Sequence, residues 1–262
     1  MVRRKTNVYA NQCKGLHVEF FGKLVSERFN SFYEAYVTEP IRSVEVTFHD
    51  IPHHAPSIRG GDQPDIGYSL VENMPEKAEV HVRSSIPTPD FEHCLAHELL
   101  HVTSSVLQFP AAAVDQRTPV NGPEMGIAKD LLTIECAEND RLLLSLGFES
   151  GYVSSMRLQR LLQRITTTGA NDDISRPWAA RTTIHYLRAL LDSGPEALSD
   201  VQETLGELPR IRNIGDQLYS LIEGRDLQDH GQRLLILVAI RDTLNLRGKI
   251  VILEPGEPVK VH

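Results

Sequence analysis

Two histidines four residues apart, His97 and His101, lie in a stretch of sequence that is arranged for an α-helix. Pro89 suits the first turn of a helix, and Thr88 before it is a good N-terminal cap. Apolar residues recur at three- and four-residue spacing over 95–106, which is typical of a helix with one buried face. Residues four apart on a helix are neighbours, so both imidazoles project together, roughly opposite the apolar stripe. The sequence therefore predicts a helix, ending near residue 107, that presents two imidazoles to a cleft.

The two histidines and Glu98 form the pattern H-E-x-x-H. Zinc accepts imidazole nitrogen readily and prefers a tetrahedral site. Glu98 is rotated by about 100° from His97 around the helix, so we expect its carboxylate beside the metal rather than on it. There it can take a proton from a zinc-bound water, whose pKa the metal lowers to about 7. The pattern predicts a zinc-dependent metallohydrolase, most simply a peptidase acting on a protein or peptide. The alternative is a regulatory or interaction protein with a structural or vestigial zinc site.

A catalytic zinc takes three protein ligands and leaves one position for water. The residues after His101 lack the glycine and third histidine of the longer H-E-x-x-H-x-x-G-x-x-H pattern, so we expect an acidic ligand from another helix. The helix expected over 124–146 carries Glu135 on its apolar stripe, where a carboxylate is costly to bury unless it is paired or binds metal. Asp140 falls off that stripe, and we expect it to be solvated. The alternatives to Glu135 are Glu138, Asp130, Asp140 and Cys136.

These two segments resemble the gluzincins, a class of zinc metallopeptidases. The motif 97–101 is followed 34 residues later by a helical glutamate, and Glu135-x-x-Glu138-Asn139 is similar to the E-x-x-A-N signature of the ImmA/IrrE family. Leu100 stands where that family usually has glycine, and Glu138 stands where it has alanine. The resemblance implies that Glu135 is the third zinc ligand and that Asn139 supports the site. It also implies a soluble metallopeptidase, as the family members are. Several of them cleave a repressor protein.

The rest of the chain predicts an α+β fold, with a zincin-like core over 1–150 and an all-helical C-terminal region over 151–262. In the core, helical spacing predicts a helix over about 16–37, and alternation predicts strands over 43–48 and 78–83. We expect the second strand to be a sheet edge along which a peptide lies. Segments 51–76 and 109–122 are predicted loops. The C-terminal helices are expected near 151–167, 177–192, 195–205, 208–223 and 229–246, before a short strand-like run over 249–253.

Composition narrows the classes of partner and compartment. The net charge of −8 disfavours direct binding of nucleic acid. The longest apolar run, Leu234 to Ile240, is too short to cross a bilayer, so no membrane association is expected. The three cysteines do not form a disulfide pattern, and no secretory signal precedes the first helix. We therefore expect a cytoplasmic protein. One alternative is a regulated protease whose C-terminal helices sense a ligand or bind a regulatory protein partner.

Overall fold

The computed structural model describes residues 6–7, 19–52, 67–71, 76–117, 122–148, 151–167, 172–255 and 260–262. Helices and small sheets make the chain a mixed α+β protein, as the sequence predicts. The chain forms two compact units: residues 1–108 with 142–151, and residues 109–141 with 152–262. This division differs from the predicted boundary at residue 150, because 109–141 cluster with the C-terminal helices.

A four-stranded sheet organises the first unit. Its strands and those of a separate hairpin are β1 (Thr6–Asn7), β2 (Glu19–Phe20), β3 (Lys23–Leu24), β4 (Glu45–Asp50), β5 (Gly67–Val71) and β6 (Lys77–Val82). The sheet order is β1-β4-β6-β5, with β4 and β6 parallel and the outer strands antiparallel to their neighbours. Alternate residues of β4 and β6, such as Phe48 and Val80, are buried. One face of the sheet therefore supplies core, as period-two patterning requires.

Two helical segments complete the described part of the first unit. They are α1 (Glu27–Phe32), which continues as a π-helical turn over Tyr33–Val37, and α2 (Thr88–Val106). Helix α2 packs against β5 and β6. The prediction of α2 is confirmed, although Pro87 rather than Thr88 occupies the cap position.

Three predictions for the first unit are wrong. Residues 19–24 form the β2–β3 hairpin instead of the start of a helix, because Gly22 adopts a left-handed φ of 81° and turns the chain. The expected loop over 51–76 contains β5, and β6 is paired on both sides, so β5 and not β6 is the edge strand.

The second unit is mainly helical. Its elements are β7 (Ala111–Val114), α3 (Pro123–Ser145, of which the residues from Leu142 belong to the first unit), α4 (Gly151–Thr167), α5 (Pro177–Ser193), α6 (Ser199–Thr204), α7 (Pro209–Ile222), α8 (His230–Thr243), β8 (Ile250–Glu254) and β9 (Lys260–Val261). Short 3-10 turns cover Pro195–Leu198 and Leu205–Glu207. Strands β7, β8 and β9 form an antiparallel sheet, so the prediction of an all-helical C-terminal region is wrong. Ile250 and Ile252 of β8 are β-branched residues with side chains buried in the core, and such residues favour a strand.

Candidate metal centre

The H-E-x-x-H motif lies in the middle of α2, within the first unit. Nε2 of His97 and Nε2 of His101 are 3.1 Å apart. Two nitrogens bound to one tetrahedral zinc, at bond lengths of about 2.0–2.1 Å, lie about 3.3–3.4 Å apart. The two imidazoles are therefore near the separation of two ligands on one ion. An N–H···N hydrogen bond has a similar length, and metal analysis distinguishes the two arrangements.

Glu98, between the histidines, is buried on the same helix. Its Oε2 atom is enclosed and accepts no hydrogen bond from the described residues. Leaving a buried acceptor unsatisfied costs about 1–3 kcal/mol, and more for a charged group, so such an atom requires an explanation. A carboxylate oxygen with free lone pairs, next in sequence to one of two convergent histidines, is compatible with a site in which the glutamate takes a proton from water.

The edge strand β5 approaches Glu98 closely at Gly67. A Cβ atom at this position would lie 3.2 Å from both Cγ and Oε1 of Glu98, and 3.5 Å from the carbonyl oxygen of His81. The two contacts with Glu98 are tighter than side chains normally adopt, so the absence of a side chain lets β5 pass beside the carboxylate. The edge of the sheet and the catalytic candidate are thus neighbours within one unit.

Glu135 lies on the part of α3 that belongs to the second unit, and it has a cationic partner there. Its Oε2 atom is 3.4 Å from Nη1 of Arg233, whose side chain is only 3% exposed. Arg233 also donates from Nε to the carbonyl oxygen of Leu227 and lies 4.1 Å over the ring of Phe109. Burial lowers the pKa of Arg233, and the charge of Glu135 opposes that effect. The assignment of Glu135 as third zinc ligand stays a prediction.

The residues after Glu135 on α3 also have partners in the second unit. Burial raises the pKa of Glu138, and Nη2 of Arg141 lies 3.3 Å from its carboxylate. Asn139 is fully buried, and its Oδ1 accepts a hydrogen bond of 3.4 Å from Gln228.

Asp140 is buried and accepts a hydrogen bond from Arg188 of α5. The expectation that Asp140 is solvated is therefore wrong, because its position off the apolar stripe faces this arginine instead of water.

Asp130 and Cys136 are the remaining alternatives to Glu135. Asp130 accepts a hydrogen bond of 2.6 Å from Nε of Arg181, so it joins α3 to α5. Burial alone would raise the pKa of Asp130, but hydrogen bonds with His185 and Arg181 hold it below its usual value. Cys136 is half-buried, with its sulfur 3.9 Å from the carbonyl oxygen of Leu132.

Sequence analysis missed a second group of metal-binding side chains in the first unit. His49 of β4 lies beside Glu79 and His81 of β6. The two-residue spacing of Glu79 and His81 places them on one face of a strand. His49 joins them because β4 pairs with β6, and the paired residues are more than 30 positions apart in sequence. No local sequence pattern indicates such a pairing.

Comparison with known proteins returns no relative. No protein family matches the chain, and neither the curated proteins nor the solved structures give a significant match. Within the described part of the chain, none of the helices is both long and apolar enough to cross a bilayer. The functional assignment therefore rests on the residues of the site.

Proposed function

We propose that this protein is a zinc-dependent metallopeptidase in which His97 and His101 bind the metal and Glu98 is the general base. One observation carries the proposal: the Nε2 atoms of the two histidines converge to 3.1 Å on the same helix as Glu98, whose buried Oε2 atom has no hydrogen-bond partner among the described residues. Two imidazoles and carboxylate oxygen suit zinc, whereas magnesium and calcium prefer oxygen ligands alone. The first unit would then be a zincin-like core, and the protein a cytoplasmic enzyme.

The chemistry assigned to the chain is proton transfer. Zinc bound at this site supplies a Lewis acid that polarises the scissile carbonyl and makes water a stronger nucleophile at neutral pH. Glu98 accepts the proton of the attacking water and then delivers it to the leaving amine. The uncommitted lone pairs of Oε2 suit this task, because no donor among the described residues has to be displaced.

The substrate is a protein or peptide that lies along β5. An extended peptide adds to an edge strand through backbone hydrogen bonds, which bind without much sequence preference. Strand β5 is the last strand of the sheet order, and Gly67 brings it against Glu98. The proposed position of the substrate strand is therefore beside β5, instead of the segment 78–83 expected from the sequence.

Glu135 is the proposed third ligand on the evidence of the sequence. It lies on the apolar stripe of α3 and occupies the first position of the E-x-x-A-N-like segment. Glu135 pairs with Arg233, and a carboxylate neutralised by a buried arginine has less need of a metal. This pairing favours the alternative in which Glu135 does not bind zinc. The alternative function is then a structural or vestigial zinc site without turnover.

The substitution Glu98→Gln tests the catalytic role. We expect zinc content to be unchanged, while hydrolysis of fluorescently labelled casein falls by about 10²–10⁴-fold because the proton acceptor is lost. Thermal stability should be little changed, since the amide has nearly the shape of the carboxylate and Oε2 has no hydrogen bond to lose among the described residues. Zinc is measured by mass spectrometry and stability by circular dichroism.

Glu92→Gln is the matched control on the same helix. Glu92 is also buried, but its two oxygens accept hydrogen bonds of 2.7 Å from the backbone N–H and hydroxyl of Ser26. This variant should lose about 1–2 kcal/mol of stability and keep its hydrolysis. Full activity in Glu98→Gln would contradict the proposed base. A wild-type protein that holds zinc at His97 and His101 but cleaves neither casein nor a mixed peptide library would instead support the structural zinc site.

A further inference from the structure

Three side chains of metal-binding type meet on the face of the first unit's sheet that lies opposite its buried residues. Phe48 and Val80 point into the core, and the residues that alternate with them, His49, Glu79 and His81, share the other face. His49 and His81 are direct partners in the parallel pairing of β4 and β6. The strand register therefore sets the three side chains together.

The ligand atoms lie within reach of a single ion. Oε2 of Glu79 is 3.1 Å from Nε2 of His81 and 3.7 Å from Nε2 of His49, and all three atoms lie within 4.8 Å of one another. The Glu79 side chain is 52% exposed, while both imidazoles are largely covered. An ion arriving from solvent would reach the carboxylate first and then two imidazoles held in the sheet.

Ring stacking restrains the imidazoles. The rings of His49 and His81 are stacked with centroids 4.4 Å apart, and Tyr68 of β5 stacks on the other side of His81 at the same distance. Parallel rings direct their Nε2 lone pairs side by side. The ligand atoms already lie close together, and χ2 is a soft torsion in histidine, so small side-chain adjustments are enough to bring them onto one ion. The backbone need not move for the site to form.

We propose that His49, Glu79 and His81 form a second metal site, which takes a divalent transition-metal ion such as zinc, nickel or copper. Imidazole nitrogen favours these ions, whereas magnesium and calcium prefer all-oxygen sites. Three protein ligands on an exposed sheet face leave the remaining coordination positions to water or to a ligand from another molecule. Binding requires both Nε2 atoms to be unprotonated, so it displaces the proton shared by His81 and Glu79.

The test uses the full-length untagged chain, stripped of metal with a chelator. The His97→Ala/His101→Ala double variant serves as background, because it removes the site proposed on α2. Titration calorimetry with zinc and with nickel measures affinity, and mass spectrometry after gel filtration measures the ion count. We expect one ion per chain in this background. Adding Glu79→Gln or His81→Ala should weaken its binding on the order of tenfold or more.

Glu45→Gln is the matched control. Glu45 is 51% exposed and faces Lys77 across the same two strands, but no imidazole lies between them. Its replacement should leave metal affinity unchanged. Circular dichroism verifies folding, and Glu79→Gln is the decisive variant because the side chain is half exposed and glutamine has nearly the same shape.

The possible outcomes separate this site from the proposed active centre. No binding by the double variant overturns the second site, and so does binding that Glu79→Gln leaves intact. Binding that Glu79→Gln abolishes supports the second site, whether or not the wild type holds a further ion at His97 and His101. The ion count of the wild type then decides the proposal for α2 by itself.

Discussion

Glu92 and Glu98 are buried carboxylates six residues apart on α2, but their surroundings differ. Ser26 donates two hydrogen bonds to Glu92, which ties α2 to the start of α1. Oε2 of Glu98 has no such donor in the described part of the chain. A carboxylate that stabilises the fold is expected to be satisfied, and one that reacts needs free lone pairs. This contrast, more than the motif itself, separates a catalytic glutamate from a structural one.

The pair formed by Glu135 and Arg233 leads to a prediction about the third ligand. Glu135→Ala leaves Arg233 buried with its charge uncompensated, so we expect it to lose about 3–5 kcal/mol of stability even without metal. Glu135→Gln keeps an acceptor for Arg233 and should lose less. If Glu135 binds zinc, the glutamine variant still loses zinc affinity by on the order of tenfold or more. Chemical denaturation in chelator and zinc titration measure the two effects separately.

Glu138→Gln is the control for this prediction, because Glu138 lies three residues further along α3 and is the competing ligand. Its partner Arg141 is exposed enough that the substitution should have a small effect on stability. Loss of zinc in Glu138→Gln but not in Glu135→Gln would reverse the assignment.

Residue types and helical spacing were enough to predict the motif of α2 and the position of Glu135 on a mostly buried stripe. Residue types and spacing did not reveal the arginines that pair with the carboxylates of α3. Arg188 and Arg233 approach α3 from α5 and α8, separated from it by 48 or more positions in sequence. The prediction for Asp140 was wrong for this reason, since a position off the apolar stripe can face water or a distant arginine.

At the scale of elements, the long helices and the strands β4, β6 and β8 were predictable, whereas β5 and β7 were not. Helix α2 has prolines on either side of its first residue and α3 begins at Pro123, and both carry long apolar stripes, so their bounds were predicted within a few residues. Strand β5 has five residues in a Pro- and Gly-rich segment, and β7 has four. Strands of this length depend on pairing with distant partners, which a single sequence does not display.

The contact of β5 with α2 predicts the effect of Gly67→Ala. The added methyl group would press against Glu98 and shift its carboxylate by a few tenths of an ångström. Because general-base catalysis depends on such geometry, we expect kcat/KM to fall on the order of tenfold or more while zinc content is unchanged.

Gly206→Ala is the control for this substitution, since a Cβ atom there meets nothing within 4 Å. It should retain wild-type kinetics. A Gly67→Ala variant with full activity would show that the approach of β5 to Glu98 has no catalytic role.

At the scale of the molecule, the division into units is the feature that sequence reasoning placed differently. The segment 109–141 packs with the C-terminal helices through Ile127, Leu131 and Ile134. The predicted boundary at residue 150 was based on the order of elements along the chain. The observed division follows contacts between distant segments, which local patterns do not encode.

A chain truncated after residue 150 should therefore fail to fold cooperatively. The three buried side chains of α3 would become exposed to water, and burial of each stabilises the folded state by roughly 1.5–3 kcal/mol. We expect the fragment to aggregate on gel filtration and to lack a sharp thermal transition by circular dichroism. A monomeric fragment that unfolds cooperatively would contradict this account of the second unit.

The most direct test of the central claim is the zinc content of the untagged wild type compared with His101→Ala, prepared side by side and measured by mass spectrometry. If His97 and His101 hold a catalytic metal, the variant contains one zinc per chain fewer than the wild type and has no hydrolytic activity. Equal zinc content in the two proteins would mean that the short distance between the imidazoles is a hydrogen bond, and that this chain is not a metallopeptidase of the kind proposed.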